Sequence, residues 1–148
     1  MSEKKKYEKP SAKRKVMDFL ARRDHSPKEL IKKLKEREYP DEEIQAALAW
    51  AKEGRWLSDD KVLSEKFGAG LHRKKKGIRY INHALAEKGL PPIQSDPELE
   101  LEKALKLVKN KIKPEEVLTK EKKEKIGRFL ISRGFDSAIV RKVVYEKL

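Results

Sequence analysis

The sequence predicts an all-α protein, and three observations support this fold class. Apolar residues recur at helical spacing along most of the chain. No segment alternates apolar and polar residues between turn signals, as a half-buried strand would, so β-strands are not expected. Serine, threonine and aspartate stand before several apolar stripes, where helix N-caps are needed, and glycines follow some of these stripes.

The best-defined segment, residues 19–34, predicts two helices joined by a short polar turn. Ser26 can cap the second helix by accepting a hydrogen bond from the backbone N–H of Glu29. Pro27 suits the first helical position, and the Glu29 side chain can reach back to the Ser26 N–H to complete a capping box. His25 precedes this cap and is expected to order the turn by local hydrogen bonding.

Each predicted helix carries an apolar stripe that is expected to face inward. In chain order, the stripes are Val16, Phe19 and Leu20; Leu30, Ile31 and Leu34; Ile44, Ala47, Leu48 and Ala51; Val62, Leu63 and Phe67; Ile78, Ile81 and Leu85; Leu101, Leu105, Val108 and Ile112; Ile126, Phe129 and Leu130; and Ile139, Val140, Val143 and Val144. Helix starts are expected at Ser11, Ser26, Asp41, Ser58, Asp96 and Thr119. Gly68 and Gly70 are expected to bend or fray the fourth helix, and Pro91 and Pro92 leave room only for a shortened or irregular element.

An internal repeat organises these helices. Residues 34–39 align with residues 130–135 as a helix end followed by a turn, and the same shift places Ile44 on Val140. Residues 85–90 give a third copy of the turn. Such units must stack to bury their apolar faces, so we expect three tandem three-helix repeats in an elongated, curved rod. The expected division is a mobile basic N-terminus at 1–10 and repeats at 11–56, 57–95 and 96–148.

The net charge of +13, from 38 basic and 25 acidic residues, favours association with nucleic acid or with an acidic protein surface. The charge alternates along the chain: residues 1–40 carry +7, 41–60 carry −4, 61–80 carry +6, 81–100 carry −3 and 101–148 carry +7. A uniformly basic nucleic-acid-binding tail would not alternate in this way. The pattern suits a protein that contacts both phosphates and the charged surface of another protein.

The sequence offers little for catalysis, cofactor binding or metal binding. It contains no cysteine, which excludes disulfides, thiolate nucleophiles and zinc–thiolate sites. His25, His72 and His83 form no metal-binding motif, and His72 is expected in a solvated basic patch. No glycine-rich phosphate loop or nucleophile elbow appears, so neither enzymatic activity nor a cofactor is expected.

The location of the protein is also predicted from the sequence. The N-terminus lacks the apolar segment of a signal peptide, and no stretch approaches the roughly 20 apolar residues of a membrane span. A soluble, cytoplasmic protein with no membrane partner is therefore expected. It is expected to be a monomer.

Several basic clusters are candidate contacts for a partner or for DNA phosphates. These candidates are Lys13, Arg14, Lys15, Arg22, Arg23, Lys32, Lys33, Arg73, Lys74, Lys75, Lys76 and Arg79. The alternative for any single cluster is an ordinary solvated face of a lysine-rich protein. Trp56 is expected to pack the joint between the first two repeats. The residues expected to have structural roles are His25, Ser26, Glu29, Leu34, Trp56 and Phe67.

These segments together resemble the RecX family, the bacterial regulatory proteins of the RecA recombinase. The resemblance rests on residues 20–34, on 54–60 followed by Phe67, on 76–89 and on 128–135, and it covers about residues 12–148. It implies three tandem three-helix repeats, binding within the helical groove of RecA–DNA filaments, and inhibition of RecA's ATP turnover, strand exchange and coprotease activities. The prolines after Leu90 and the glycines around Ala69 depart from the family pattern in the middle repeat.

The sequence supports two hypotheses about function. The first is a non-enzymatic modulator of RecA filaments, acting in homologous recombination, DNA repair and the SOS response, with DNA as a further partner. The second is a basic helical protein that binds DNA or RNA without RecA. A third, enzymatic hypothesis lacks a nucleophile or metal constellation in the sequence.

Overall fold

The computed structural model describes residues 8–148, and this part of the chain contains eight α-helices and no β-strand. The helices are α1 (Ala12–Arg22), α2 (Pro27–Glu36), α3 (Asp41–Glu53), α4 (Asp60–Arg73), α5 (Ile78–Glu87), α6 (Pro97–Lys109), α7 (Lys120–Ser132) and α8 (Ser137–Arg141), which continues as a π-helical segment, Lys142–Lys147. The predicted all-α fold class is confirmed. The expected mobile N-terminus falls largely on residues 1–7, which lie outside the described residues.

Contacts group the described chain into two compact units. The first comprises the chain up to Leu63 together with Lys88–Leu90, and the second comprises Ser64–Glu87 and Pro91–Leu148. Each unit has its own buried apolar residues. The division into three repeats at 11–56, 57–95 and 96–148 stays a prediction.

The core of the first unit forms where α1 packs on α3 and both contact α2. The predicted inward faces are largely confirmed, with Leu20 and Ile31 only partly buried. Ser11 caps α1 by accepting the N–H of Arg14 on its Oγ at 3.2 Å. The buried side chains contributed by these three helices are Ala12, Val16, Phe19, Leu30, Leu34, Ile44, Ala47, Leu48 and Ala51.

The second unit contains the larger apolar cluster, formed by α6, α7, α8 and the π-helical segment. Both predicted caps are present: Asp96 Oδ1 accepts the N–H of Leu99 at 3.3 Å, and Thr119 Oγ1 accepts the N–H of Lys122 at 3.2 Å. The buried members of the cluster are Ala104, Val108, Ile126, Leu130, Phe135, Val140, Val143 and Val144.

The predicted inward face of α6 is confirmed, but it is incomplete. Val108 is buried, and Leu101, Leu105 and Ile112 are partly buried against the same cluster. Glu100 and Lys103 are buried as well, with side chains that are 1% and 5% exposed. The buried face of the helix is therefore wider than its apolar stripe and includes a pair of opposite charges.

Two predictions for α4 are wrong, whereas the cap at Ser58 stays a prediction. The helix begins at Asp60, and the carbonyl oxygen of Asp59 accepts a hydrogen bond from the Leu63 N–H at 2.9 Å. Val62 is 40% exposed and does not face inward. The helix also runs unbroken through both of its glycines to Arg73.

Gly68 makes room for the segment that replaces a helix after Leu90. A Cβ on Gly68 would lie 2.8 Å from Cδ1 of Ile93, so a larger residue would require the end of the Ile93 side chain to shift. The amide of Asn82 accepts the Ile93 N–H at 2.8 Å and donates to its carbonyl oxygen at 3.1 Å. Ser64 donates to the carbonyl oxygen of Pro91 at 2.6 Å. The expected irregular element is therefore confirmed, and it is anchored by side chains.

The repeated turn is visible in backbone conformation and hydrogen bonding. Glu38, Gly89 and Gly134 occupy equivalent positions in the three copies, and all have positive φ, at 64°, 72° and 94°. Residue 39 donates to the carbonyl oxygen of residue 34 at 3.2 Å, and residue 135 donates to that of residue 130 at the same distance. The left-handed residue reverses the chain so that an aromatic side chain, Tyr39 or Phe135, enters the core. These observations confirm the internal repeat.

The expectation that Trp56 packs a joint is wrong. Its side chain is 55% exposed, whereas Leu57 is 4% exposed and takes the buried position. The backbone N–H groups of Trp56 and Leu57 both donate to the carbonyl oxygen of Ala51, at 2.9 and 3.1 Å. This pairing places the leucine in the core and the indole at the surface. Phe67 is partly buried.

Replacing Gly134 by alanine is expected to destabilise the second unit by about 2 kcal/mol or more, because a backbone clash adds to an unfavourable positive φ. A Cβ at Gly134 would lie 2.4 Å from Cβ of Tyr80 and 2.5 Å from its backbone nitrogen. Urea denaturation measures the loss.

The matched control is Gly70→Ala, which lies inside α4 of the same unit. Its Cβ would meet only the Arg73 guanidinium, at 3.6 Å, so it should stabilise by up to about 1 kcal/mol through helix propensity. Equal effects of the two substitutions would contradict the steric account.

Candidate interaction surface

The joint between α1 and α2 contains the predicted capping box. Ser26 Oγ accepts the N–H of Glu29 at 3.2 Å, and Glu29 Oε1 accepts the N–H of Ser26 at 3.1 Å. Arg23 and Lys88 reach the same carboxylate at 2.8 and 3.3 Å. Burial alone would raise the pKa of Glu29, but the hydrogen bonds from Arg23 and Ser26 outweigh it and lower the pKa to about 2. The joint is thus held by a carboxylate that stays ionised.

His25 orders the turn before this cap, as predicted. Its side chain is almost fully buried, Nδ1 lies 3.0 Å from the carbonyl oxygen of Arg23, and Nε2 lies 2.7 Å from the Lys33 ammonium. Because a carbonyl only accepts and an ammonium only donates, the ring must be neutral with its proton on Nδ1. Burial lowers the pKa of His25, and the cations of Arg23 and Lys33 lower it further.

The predicted cations of the first unit differ in what they contact. Arg23 and Lys33 form the contacts within the joint, and Arg14 pairs with Asp18 at 3.6 Å. Arg22 and Lys32 are exposed, and within the described residues no carboxylate forms an ion pair with either. The remaining two predicted cations, Lys13 and Lys15, lie near the rings of Trp50 and Phe19, at 5.8 and 5.6 Å.

The last residue of α4 and the tight turn that follows it carry four consecutive cations, Arg73, Lys74, Lys75 and Lys76, which we call the basic loop. Lys75 has a φ of 59°, and Lys76 donates its N–H back to the carbonyl oxygen of Leu71 at 3.0 Å. Two cations beneath the loop bind its carbonyl oxygens: Arg133 reaches that of Lys74 at 3.1 Å, and Lys103 reaches that of Lys76 at 2.6 Å. The carbonyl groups are thereby used internally.

The side chains of the basic loop have fewer internal partners than its backbone. Arg73 and Lys74 are exposed, and neither forms an ion pair with a carboxylate of the described chain. Lys75 is partly buried. The ammonium of Lys76, also partly buried, lies 4.5 Å from the Tyr80 ring centroid. Arg79, the second residue of α5, is exposed as well. The loop therefore presents several cations from an anchored backbone, which is the arrangement that suits phosphate or carboxylate contacts.

Lys103 is the centre of a buried polar cluster under the basic loop. Its ammonium pairs with Oε2 of Glu100 and donates to His72 Nδ1 at 2.8 Å, in addition to the Lys76 carbonyl oxygen. Glu100 Oε1 in turn accepts the N–H of Ile78 at 2.6 Å and so caps α5. A carboxylate at this position also complements the positive end of the helix dipole.

His72 is not part of a solvated patch, so that expectation is wrong. The ring is partly buried, and the only partner of Nδ1 in the described chain is the Lys103 ammonium, which can only donate. Burial lowers the pKa of His72, and the adjacent Lys103 cation lowers it further. The imidazole is therefore neutral at physiological pH and serves as an acceptor.

Sequence reasoning missed Glu100, Lys103 and Arg133. Their charges gave no sign of burial, because lysine, glutamate and arginine are almost never fully buried unless paired. One signal was present: Glu100 and Lys103 lie three residues apart, which places them side by side on one helix face. What the sequence could not show is that this face would meet the end of α4 and the start of α5.

The acidic segment at the start of α3 is also used within its unit. Glu43 Oε1 accepts the N–H of Ala12 at 3.1 Å and caps α1 from 31 residues away in the sequence.

Among the described residues, no three side chains of histidine, aspartate or glutamate converge as metal ligands, and no helix is both long and apolar enough to cross a membrane.

Acidification is expected to lower the free energy of unfolding below pH 6.5, the ordinary histidine pKa. His25 and His72 have lowered pKa values in the folded chain, so below pH 6.5 the unfolded chain binds more protons. The stabilisation is complete above pH 6.5 and is lost as the pH falls through the folded-state values. Chemical denaturation at a series of pH values measures this dependence.

His72→Gln should weaken this pH dependence, because the histidine that titrates against Lys103 is removed. The control is His83→Gln, whose parent side chain is 77% exposed and lies 3.2 Å from the Glu87 carboxylate on the same helix. A stability profile that is flat below neutral pH in the unaltered protein would contradict the assignment of buried neutral imidazoles.

Comparison with known proteins places these features in a family. The model of the first three-helix domain of RecX matches residues 12–50, and that of the third matches residues 98–144. The regulatory protein RecX of Actinobacillus pleuropneumoniae serotype 5b (strain L20) is 34% identical over 129 residues, which cover 81% of this chain and 82% of that protein. Regulatory protein RecX of Chlorobaculum tepidum is 32% identical over 134 residues, covering 87% and 83% of the two chains.

Solved structures show the same fold. The crystal structure of RecX from Lactobacillus salivarius matches with a TM-score of 0.79 over 91% of this chain and 93% of that one, at 20% identity. A second RecX structure matches with a TM-score of 0.69, covering 90% of this chain and 69% of the other. The matched domains, the sequence identity and the shared fold show that the chain belongs to the RecX family of regulatory proteins.

Proposed function

We propose that this protein binds RecA–DNA filaments and lowers RecA's ATPase, strand-exchange and coprotease activities. The observation that carries the proposal is the similarity to regulatory proteins RecX, at 34% identity over 81% of the chain. Under this proposal, the protein is a monomeric, non-enzymatic regulator that acts in the cytoplasm, where the filaments form.

Exposed cations in both units support a filament partner. A RecA–DNA filament offers both DNA phosphates and protein carboxylates, and the exposed side chains of Arg22, Lys32, Arg73 and Lys74 carry charges that no described carboxylate neutralises. Contacts from more than one surface of the chain would engage successive RecA protomers. Such contacts would restrain the movements of the protomers on which ATP turnover and strand exchange depend.

Adding the protein to preformed RecA filaments on single-stranded DNA is expected to lower the rate of ATP hydrolysis at substoichiometric amounts. One bound molecule should affect several protomers, because filament protomers act cooperatively. A steady-state ATPase assay measures the effect, and strand exchange between homologous DNA molecules provides a second readout. Unchanged rates in both assays at a stoichiometric amount would contradict the proposal.

A second candidate function is DNA or RNA binding without RecA, and the anchored basic loop favours it. Nucleic-acid binding through such a loop depends on the release of counterions and therefore weakens steeply with salt. On this alternative, affinity for nucleic acid alone accounts for the whole function, and RecA adds nothing to it.

Reversing the charge of the basic loop distinguishes the two functions. Replacing Arg73, Lys74, Lys75 and Lys76 by glutamate should abolish binding to nucleic acid under the second function, but should only weaken filament binding under the first. The measurement compares affinity for single-stranded DNA with affinity for the RecA–DNA filament at two salt concentrations. The matched control reverses four exposed lysines elsewhere in the second unit, Lys109, Lys120, Lys125 and Lys142, so that the net charge is the same.

A further inference from the structure

The second unit contains an open groove that is separate from the basic loop and from the buried polar cluster around Lys103. It lies between α7 on one side and α8 with the π-helical segment on the other, and it has a volume of ≈ 460 Å³. Its apolar surface comes from Gly127, Ile131, Val140, Val144 and Tyr145. Ile131 and Tyr145 are 48% and 73% exposed, so two large apolar side chains meet water beside the same concavity. We call this feature the C-terminal groove.

Gly127 keeps the floor of the groove open, although the fold does not require a glycine there. The residue lies inside α7, where alanine would be more favourable for the helix. It has no positive φ, and an added Cβ would lie 3.6 Å from Val140 Cγ1 and 3.9 Å from Val144 Cγ2, both ordinary contacts. By contrast, Gly77 and Gly134 allow close backbone approaches. A longer side chain at position 127 would fill the groove.

The rim of the groove is mainly basic. Lys123, Arg128 and Arg141 line it, and among the described residues none of them forms an ion pair with a carboxylate. Glu124 is the one acidic side chain of the lining. An occupant would therefore meet an apolar floor and an excess of unpaired positive charge, which an acidic segment with apolar side chains complements.

The spacing of the lining residues favours a helix as the occupant. On α7 they follow the rows 123, 127, 131 and 124, 128, 132, and on the opposite side they follow 140, 144 and 141, 145. Rows of side chains four residues apart are the ridges and grooves through which helices pack against each other. Peptide helices dock in such grooves through apolar residues at positions i, i+3, i+4 and i+7.

We propose that the C-terminal groove binds an acidic amphipathic helix of a partner protein, with apolar side chains over Gly127 and carboxylates at Lys123, Arg128 and Arg141. Binding of a helix in this groove is separate from the proposed effect on RecA filaments, and it can be tested without RecA. Filling of the floor weakens docking, and so does reversal of the rim charges.

The probe is a synthetic 18-residue peptide, about five helical turns long, with leucine and phenylalanine at i, i+3, i+4 and i+7. Glutamate flanks this apolar face, and alanine fills the remaining positions so that the peptide forms a helix. Binding to the full chain is measured by fluorescence anisotropy of the labelled peptide. The peptide should bind, and the affinity should fall with added salt. A peptide of the same composition with its apolar residues scattered around the helix, and one with lysine in place of glutamate, should not bind.

Two glycine variants separate docking from folding. Gly127→Leu should lower the affinity for the probe by about tenfold or more, which corresponds to the loss of one well-packed anchor. Gly127→Ala, the matched control, should retain binding, because its Cβ has room. A urea titration of both variants verifies that the second unit remains folded.

The double variant Arg128→Glu/Arg141→Glu provides an independent test, because both side chains are exposed and their replacement leaves the core intact. It should lower the affinity for the acidic probe and admit the lysine peptide. Equal binding of the ordered and scattered peptides, no binding of the ordered peptide, or unchanged binding by both Gly127→Leu and the double variant would overturn the proposal. Failure of this test leaves the RecA ATPase result unaffected, so the two proposals fail separately.

Discussion

The buried ammonium of Lys103 is the interaction on which the second unit depends. A lysine removed from water loses several kcal/mol of hydration, and three groups replace that hydration: Glu100, His72 and the carbonyl oxygen of Lys76. Each of these partners belongs to a different piece of structure, α6 itself, α4 and the basic loop. Since Glu100 also caps α5, one ion pair fixes the positions of four segments.

This arrangement explains why some cations are available to a partner and others are not. Arg133 and Lys103 bind the backbone of the basic loop from inside, so they add order to the loop without being exposed contacts themselves. In the joint between α1 and α2, Arg23 and Lys33 likewise bind groups of their own unit, although the Arg23 side chain is 47% exposed. Both units thus use internal cations to hold the turns from which exposed cations project. A count of basic residues alone would not separate the two roles.

The limits of the sequence are clearest at these same places. Local signals predicted the capping box at Ser26 and Glu29, and the repeat predicted the three turns in which the structure has left-handed residues. These features depend on residues close in the chain, where spacing determines geometry. The environment of His72 depends on a lysine 31 residues away, and the exposure of Trp56 depends on Leu57 taking the buried position. Contacts of that kind have no periodic signal, so the sequence could not place them.

The central claim is that the buried ion pair of Lys103 and Glu100 holds the second unit together, and a double-mutant cycle tests it most directly. Lys103→Met should reduce the free energy of unfolding by about 3–5 kcal/mol, because Glu100 is left buried without a counter-charge. Adding Glu100→Gln should restore much of this loss, since the amide oxygen can still accept from Ile78. Lys106→Met, on the same helix but paired with Glu102 at 60% exposure, should cost less than about 0.5 kcal/mol. If Lys103→Met costs no more than Lys106→Met, the account of the second unit is contradicted.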